Sequence, residues 1–421
     1  MKRRVFACFL AIVMLTAIIT GCHDSSTKTN VVKVNYDVNK EVAPYLKNLP
    51  EIPEADKDYV IQMGYNDCDH MVAAIIGEQA GIYKALGMNV VVTKSGKTAA
   101  AMASGDMVCG YSGFSSMVKN ANKGAPVFMP AGSHLGGSKY FVIKSDINSS
   151  EEIIGSRITV TEDDMYSPYW LSYCEQVGIP TDYTKYQGVD MNDDDAIIAM
   201  KAGQLDGYMC CDPFGSIAEM EGFGKIIGTE WGAHVSDDLE NGWGLHCGYF
   251  INTDFAKEHP ELTTRLVLAH CLAIKYMYKH PYNSGMMFAD GFGVKPDVGL
   301  RTIYIKTCAE GRTLCWDVSD ANIKNYKDYW ESFGIPEDKI PEVKDLPTFL
   351  DLSYLKACGI ESFKSFIEDN KINETFPIRD PYLTWLEKAE TIDGIDHSST
   401  VGKTVEKWNN NEVVTKLTPK K

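Results

Sequence analysis

Apolar and polar positions fall into blocks along the chain, and the clearest block spans residues 60–92. An apolar run opens it (60–64), a short polar loop follows (65–69), and a helix-length apolar segment extends over 70–86. Gly87 stops that segment and a β-branched run begins at Val90. Strand, loop, helix and strand in this order predict the crossover unit of a parallel sheet. Asp69 falls where a helix N-cap would, its carboxylate placed to accept first-turn N–H groups. The loop before it sits at a strand's carboxyl end, where open α/β sheets bind ligands.

The pattern then repeats. Residues 101–107 (AMASGDM) and 199–205 (AMKAGQL) align without gaps, each a helix end closed by glycine and each running into a short strand. By the same offset Ser112 and Gly113 fall opposite Cys210 and Cys211. Upstream, the strand at 157–160 and the polar loop at 161–164 repeat the pattern of 63–69, and a helix-length segment (168–177) follows again. Two matches in the same order predict a duplicated lobe. Apolar strands at 139–143 and 247–251 read as antiparallel hinge connections, and from Pro260 onward the pattern is helical.

At 421 residues the chain exceeds what one hydrophobic core organises, which agrees with two lobes. A formal charge of −16 argues against nucleic acid or an anionic membrane face as partner. The first 21 residues add a compartment: Lys2, Arg3 and Arg4 precede an apolar stretch too short to span a bilayer comfortably. The run Ile19-Thr20-Gly21-Cys22 resembles a bacterial lipobox, which implies lipidation of Cys22 and an extracytoplasmic protein anchored to a bacterial membrane by lipid alone. Losing that leader makes the rest three units more negative. Residues 22–57, polar and carrying Pro44, Pro50 and Pro53, read as a flexible tether. The twelve cysteines form no recognisable disulfide framework.

Residues 79–90 (QAGIYKALGMNV) resemble the "gyFkkeGLdV" signature of solute-binding proteins for nitrate, sulfonate, taurine and thiamine-precursor ABC importers. The likeness continues through 103–106, 123–127, 202–206, Asp212-Pro213-Phe214 and 349–355, so it covers about 58–360. It implies an α/β chain with the type II periplasmic-binding-protein fold: two α/β lobes joined by two hinge strands, closing on a ligand between them. The expected division is lobe one over 58–143 and 248–360, lobe two over 144–247, and a helical C-terminal extension with a polar tail over 361–421. The implied role is a monomeric solute-binding component serving an ABC permease and its ATPase, with no cofactor and no catalysis. The small-molecule ligand expected is a sulfonate or a pyrimidine-like nitrogen heterocycle.

If so, the cleft loops hold Tyr65, Asn66, Asp67 and His70, then Ser95 and Thr98, Ser112 and Gly113, and His134 from lobe one. Lobe two supplies Asp163, Tyr166, Asp212 and His246. Ser95 to Thr98 opens a helix whose N–H groups could hold an anionic head group, or could simply cap a buried helix. Tyr65, Phe114, Tyr166 and Phe214 could stack on a flat ligand or pack the lobes. The acidic run 162–164 either faces ligand or caps the next helix. Replacing Asp212 by Ala is expected to weaken binding and leave folding intact. Cys68, His70, His134, Cys210, Cys211 and His246 also fall in these loops. They admit a second reading, a metal or metal-chelate carrier, against structural cysteines and satisfied histidines. A third reading, a thiamine-pyrimidine-synthase-like enzyme, rests on the same His/Cys content. No Gly-x-Gly-x-x-Gly after a strand, Walker loop or Gly-x-Ser-x-Gly is present.

Overall fold

The computed structural model describes residues 31, 33–137, 139–396, 406–409 and 412–417, so the leader and Cys22 lie outside the described residues. Two five-stranded sheets carry the chain. The first, in the order β2-β1-β3-β10-β4, is built from β1 (Val60–Tyr65), β2 (Asn89–Lys94), β3 (Cys109–Gly113), β4 (Val127–Leu135) and β10 (Leu245–Asn252). The second, β7-β6-β8-β5-β9, uses β5 (Lys139–Lys144), β6 (Arg157–Ile158), β7 (Gln187–Gly188), β8 (Gly207–Cys210) and β9 (Gly224–Glu230). In each sheet four strands run in one direction and the strand arriving from the other sheet runs against them: β10 pairs antiparallel with β3 and β4, β5 with β8 and β9.

The crossover unit forms as its pattern dictates, with β1 and β2 parallel from Val60 opposite Asn89 onward. Its helical segment breaks in two, Ala73–Gln79 and Ile82–Ala85, because Gly81 takes the left-handed conformation (φ 74°). The repeat is equally plain. Helices Thr98–Ser104 and Asp193–Lys201 end beside Gly105 and Gly203, both at positive φ, and lead into β3 and β8. The chain crosses between sheets after Leu135 and after Glu230. The strand at 139–143, expected to close the first lobe, pairs wholly inside the second sheet. The whole of β10, including Leu245 and His246 expected in the second lobe, belongs to the first.

The segment read as a tether is packed, the expected helical extension forms, and part of the polar tail is packed as well. In the segment read as a tether, Val38–Leu46 is helical: Asp37 accepts from the N–H groups of Asn39 and Lys40, and the single apolar face buries Val42. Asp56 then pairs with His259 at 2.8 Å. At the other end the helix Tyr382–Asp393 buries Trp385 and Leu386. Beyond it the tail reaches the second sheet: Trp408 is buried over the Arg301 guanidinium at 3.9 Å, and the Thr415 N–H donates to Ile226 of β9. Among the described residues no helix is long and apolar enough to cross a membrane.

Candidate functional site

The chain leaves β1 at Tyr65 and makes a single tight turn, Asp69–Met71, pinned to β4 where the Ser133 hydroxyl donates to the His70 carbonyl at 3.3 Å. On β4, His134 lies opposite Cys247 of β10. Neighbours on a strand normally face opposite sides. Here the register shifts on both sides of Cys247, and the irregular backbone turns His246 and Cys247 to one site, the thiol 3.2 Å from its neighbour's Nδ1. The rings of His70 and His134 stack with centroids 3.9 Å apart, and His246 meets them edge-on at 4.9 and 5.4 Å. The Cys247 Sγ is also 3.4 Å from His70 Nδ1, and the Cys68 Sγ 3.0 Å from it. One ligand atom from each of His70, His134, His246 and Cys247 falls within 4.8 Å of the others. A second group, Cys68, Asp69, His70 and Cys211, does the same and shares His70.

The second sheet closes over this cluster. Asp69 donates its backbone N–H to the Asp212 carbonyl at 2.9 Å, and Cys211 stands beside it. Lys139, at the start of β5, places its ammonium 4.5 Å from the Tyr169 ring centroid, and that ring meets His246 edge-on. From the helical region, Lys306 pairs with Asp69 at 3.1 Å and with Glu310 at 2.9 Å across a π-helical turn, Ile305–Ala309, a distortion often found at functional positions. Burial pushes the Asp69 carboxyl up to about 7 despite Lys306. Burial opposes the Lys306 charge, but Asp69 and Glu310 outweigh it and raise that group above its ordinary value. Burial, then neighbouring positive charge, holds His70, His134 and His246 well below the usual imidazole range, so the three rings are neutral. The same burial raises the Cys68, Cys210 and Cys247 thiols.

Of the residues singled out from sequence, His70, His134 and His246 converge, with Cys68 and Cys211 beside them. The others do not join them. Cys210 ends β8 in register with Tyr140 and falls in neither group. Ser95 accepts from the Lys97 N–H, and the Thr98 hydroxyl donates to the Ser95 carbonyl at 2.9 Å. Thr98 is buried against Gly64 and Gly110, where a Cβ on Gly110 would lie 2.4 Å from the Gly64 carbonyl. That turn is structural. The Tyr65 hydroxyl donates to the Gly291 carbonyl and its ring packs on Phe292; the Asn66 carbonyl accepts from the Cys68 N–H at 2.8 Å, while its side-chain oxygen is buried with no hydrogen bond among the described residues; Asp67 pairs with Lys94 at 3.0 Å. Ser112 and Gly113 finish β3 and begin the helix Phe114–Ala121, whose Phe114 packs on Tyr326 and Phe349.

Asp163 is exposed while its neighbour Asp164 completes a capping box with Thr161, so the acidic run caps a helical turn. Tyr166 lies beneath the Lys339 ammonium at 4.8 Å, and Phe214 is buried beside β8. Asp69 is no cap: Cys68 holds that position, and the carboxylate turns to Lys306. The Asp212 carboxylate is fully buried and internally occupied, accepting from the Ser216 N–H and hydroxyl and from Arg301 and Thr302, so it is a structural bridge.

Sequence reasoning missed Cys247, Lys139, Lys306 and Glu310. Cys247 was hidden by strand alternation, which the register shift overrides. Lys306 falls in a segment read as packing helix and Glu310 just beyond it; two opposite charges four residues apart were the available signal.

The taurine-binding periplasmic protein of Escherichia coli (strain K12) is 29% identical over 169 residues, 38% of this chain and 48% of that protein, so the chain spans about half the length of the relative it matches. Among solved structures, the ligand-binding component of an ABC-type import system from Staphylococcus aureus with zinc bound gives a TM-score of 0.54 at 14% identity, covering 71% of this chain and 98% of that one. The alkanesulfonate-binding protein SsuA from Xanthomonas axonopodis pv. citri bound to MOPS gives 0.54 at 14% identity, covering 69% and 97%. These likenesses establish the periplasmic-binding-protein fold, two α/β lobes with a helical C-terminal part. The family described as NMT1/THI5 like matches residues 69–284, a little over half of the chain, and the protein belongs to that family.

Proposed function

We propose that this chain is the extracytoplasmic solute-binding component of an ABC importer, tethered by a lipid on Cys22 and acting as a monomer that hands its solute to a permease and ATPase. The observation that carries the reading is the buried polar cluster between the two sheets. Cys68, Asp69 and His70 come from the first sheet's loops and Cys211 from the second, and all meet within 4.8 Å. A solute reaches such a place only when the sheets separate, which is what hinge closure around a ligand provides. The likeness to taurine- and alkanesulfonate-binding proteins supports the same role.

The sulfonate and nitrogen-heterocycle readings keep Lys139 as a charge partner and the Asp69 carboxyl as a hydrogen-bonding one. They lose the turn at Ser95 and Thr98, already taken up in internal bonds. Native mass spectrometry of the protein purified without added ligand tests the proposal. A retained small mass whose removal lowers the melting temperature is expected, because a ligand that binds only the folded form stabilises it by mass action. A strain lacking the chain should lose uptake of that solute, and Cys22→Ser should free the protein from membranes. If no small solute is retained or raises the melting temperature, the carrier reading fails.

A further inference from the structure

The chain's other buried histidines show what a satisfied one looks like. His270 bonds the Tyr111 hydroxyl at 3.0 Å through Nδ1 and the Gly132 carbonyl at 2.7 Å through Nε2. His259 and His280 each pair with a carboxylate at 2.8 Å. His134 differs. It is fully buried, and neither ring nitrogen makes a hydrogen bond among the described residues, the Glu310 carboxylate standing 4.0 Å from Nε2; His70 Nε2 makes none either, with the Asp69 carboxylate 3.3 Å away. A buried polar group in that state carries the full cost of desolvation, and here two such rings lie stacked beside a third imidazole and a thiol, with one ligand atom of each within 4.8 Å of the others.

We propose that the solute carried by this chain is a borderline divalent transition-metal cation of the Zn²⁺, Co²⁺ and Ni²⁺ class, held by His70, His134, His246 and Cys247. This rests on the carrier reading above, since the metal is cargo. Three imidazoles and one thiolate make a donor set for borderline cations; the set lacks the oxygen ligands that Ca²⁺ or Mg²⁺ require. Tetrahedral zinc with nitrogen and sulfur ligands at about 2.0–2.3 Å puts those atoms about 3.3–3.7 Å apart. The present spread, up to 4.8 Å, closes by about 1 Å on binding, and the His70 and His134 rings leave their parallel stack so that both lone pairs meet the ion. An imidazole binds the ion through an unprotonated ring nitrogen, and the Cys247 thiol releases its proton to solvent as the metal–sulfur bond forms. Cys211 brings a further soft ligand from the second sheet within 4.8 Å of a His70 nitrogen, which couples metal capture to closure.

The test is a Co²⁺ titration of the chelator-stripped, reduced protein, followed by optical spectroscopy. One Co²⁺ per chain is expected, with tetrahedral ligand-field bands and a thiolate charge-transfer band in the near ultraviolet. Cys247→Ser should remove the charge-transfer band while circular dichroism stays native. His134→Gln should weaken binding by more than the about 10–100-fold typical of outer-shell losses, and bound metal should exchange with free isotopic Zn²⁺. Absence of stoichiometric binding, or spectra unchanged in both variants, overturns the proposal. A sulfonate or pyrimidine that binds the metal-free protein, where Co²⁺ does not, overturns it and leaves the carrier reading standing. Metal bound at these residues but inert to exchange overturns the cargo role.

Discussion

Replacing Asp212 by Ala tests the corrected view of that residue most directly. Its carboxylate is wholly buried and lies 3.3 Å from the Arg301 guanidinium, itself only 2% exposed. It also accepts from the Ser216 hydroxyl at 2.7–2.8 Å and from Thr302 at 3.3 Å. Removing one partner of a buried ion pair leaves the other charge uncompensated, which costs about 3–5 kcal/mol. The sequence-based expectation was a binding defect in a stably folded protein; the structure predicts a folding defect first. The assay is urea denaturation followed by circular dichroism and tryptophan fluorescence at fixed pH and salt. A double variant, Asp212→Leu with Arg301→Met, should recover much of the loss, because a buried pair replaced by apolar groups of similar volume is often neutral. A loss below about 1 kcal/mol for Asp212→Ala would refute the reasoning, as would a double variant no more stable than the single one.

Asp206 is held well below the usual carboxylate range, chiefly by Arg157 and, against burial, also by Lys144. Its stabilisation is therefore present above the unfolded value near 3.8 and lost as pH falls through the lower folded one. Melting temperatures should show Asp206→Asn destabilised at pH 7 and the gap closing below pH 4. Glu230 behaves oppositely. Burial raises its carboxyl from 4.5 to about 7 even though the Tyr329 hydroxyl donates to it, so its contribution is full below pH 4.5 and fades as pH rises through about 7. Wild type should lose stability across that window relative to Glu230→Gln; parallel profiles would contradict the assignment. Trp408→Ala removes a ring that covers Arg301 and whose indole N–H donates to Glu219 at 2.8 Å. A loss of about 3–5 kcal/mol is expected, with faster proteolysis of the C-terminal tail as the accompanying readout.

The crossover unit and the repeat were legible because glycine stops and strand-length apolar runs leave strong local signals. The three histidines were legible for a topological reason: each sits at or near the end of a strand where the lobes meet. What stayed hidden depended on competition between equivalent local signals. A Ser-x-x-Thr helix start serves an anion or its own backbone equally well, and only the space left by Gly64 and Gly110 decides that Thr98 turns inward. An acid before a helix reads as a cap, yet a lysine some 240 residues away draws Asp69 elsewhere. The segment at 38–46 was masked by its polar composition, although one buried valine and a capped first turn suffice to seat it.

The bridge at Asp212 also bears on rates. Its carbonyl accepts from Asp69 and its carboxylate from Arg301, so contacts internal to the protein hold the two sheets together with or without cargo. On the carrier reading, a solute arriving at a shut protein waits for it to open, and capture then follows the opening rate rather than the collision rate. Observed association should level off as solute concentration rises, and the plateau is the frequency at which the contacts of Asp212 with Asp69 and Arg301 break together. Any partner that loosened both contacts of Asp212 would speed loading and unloading together.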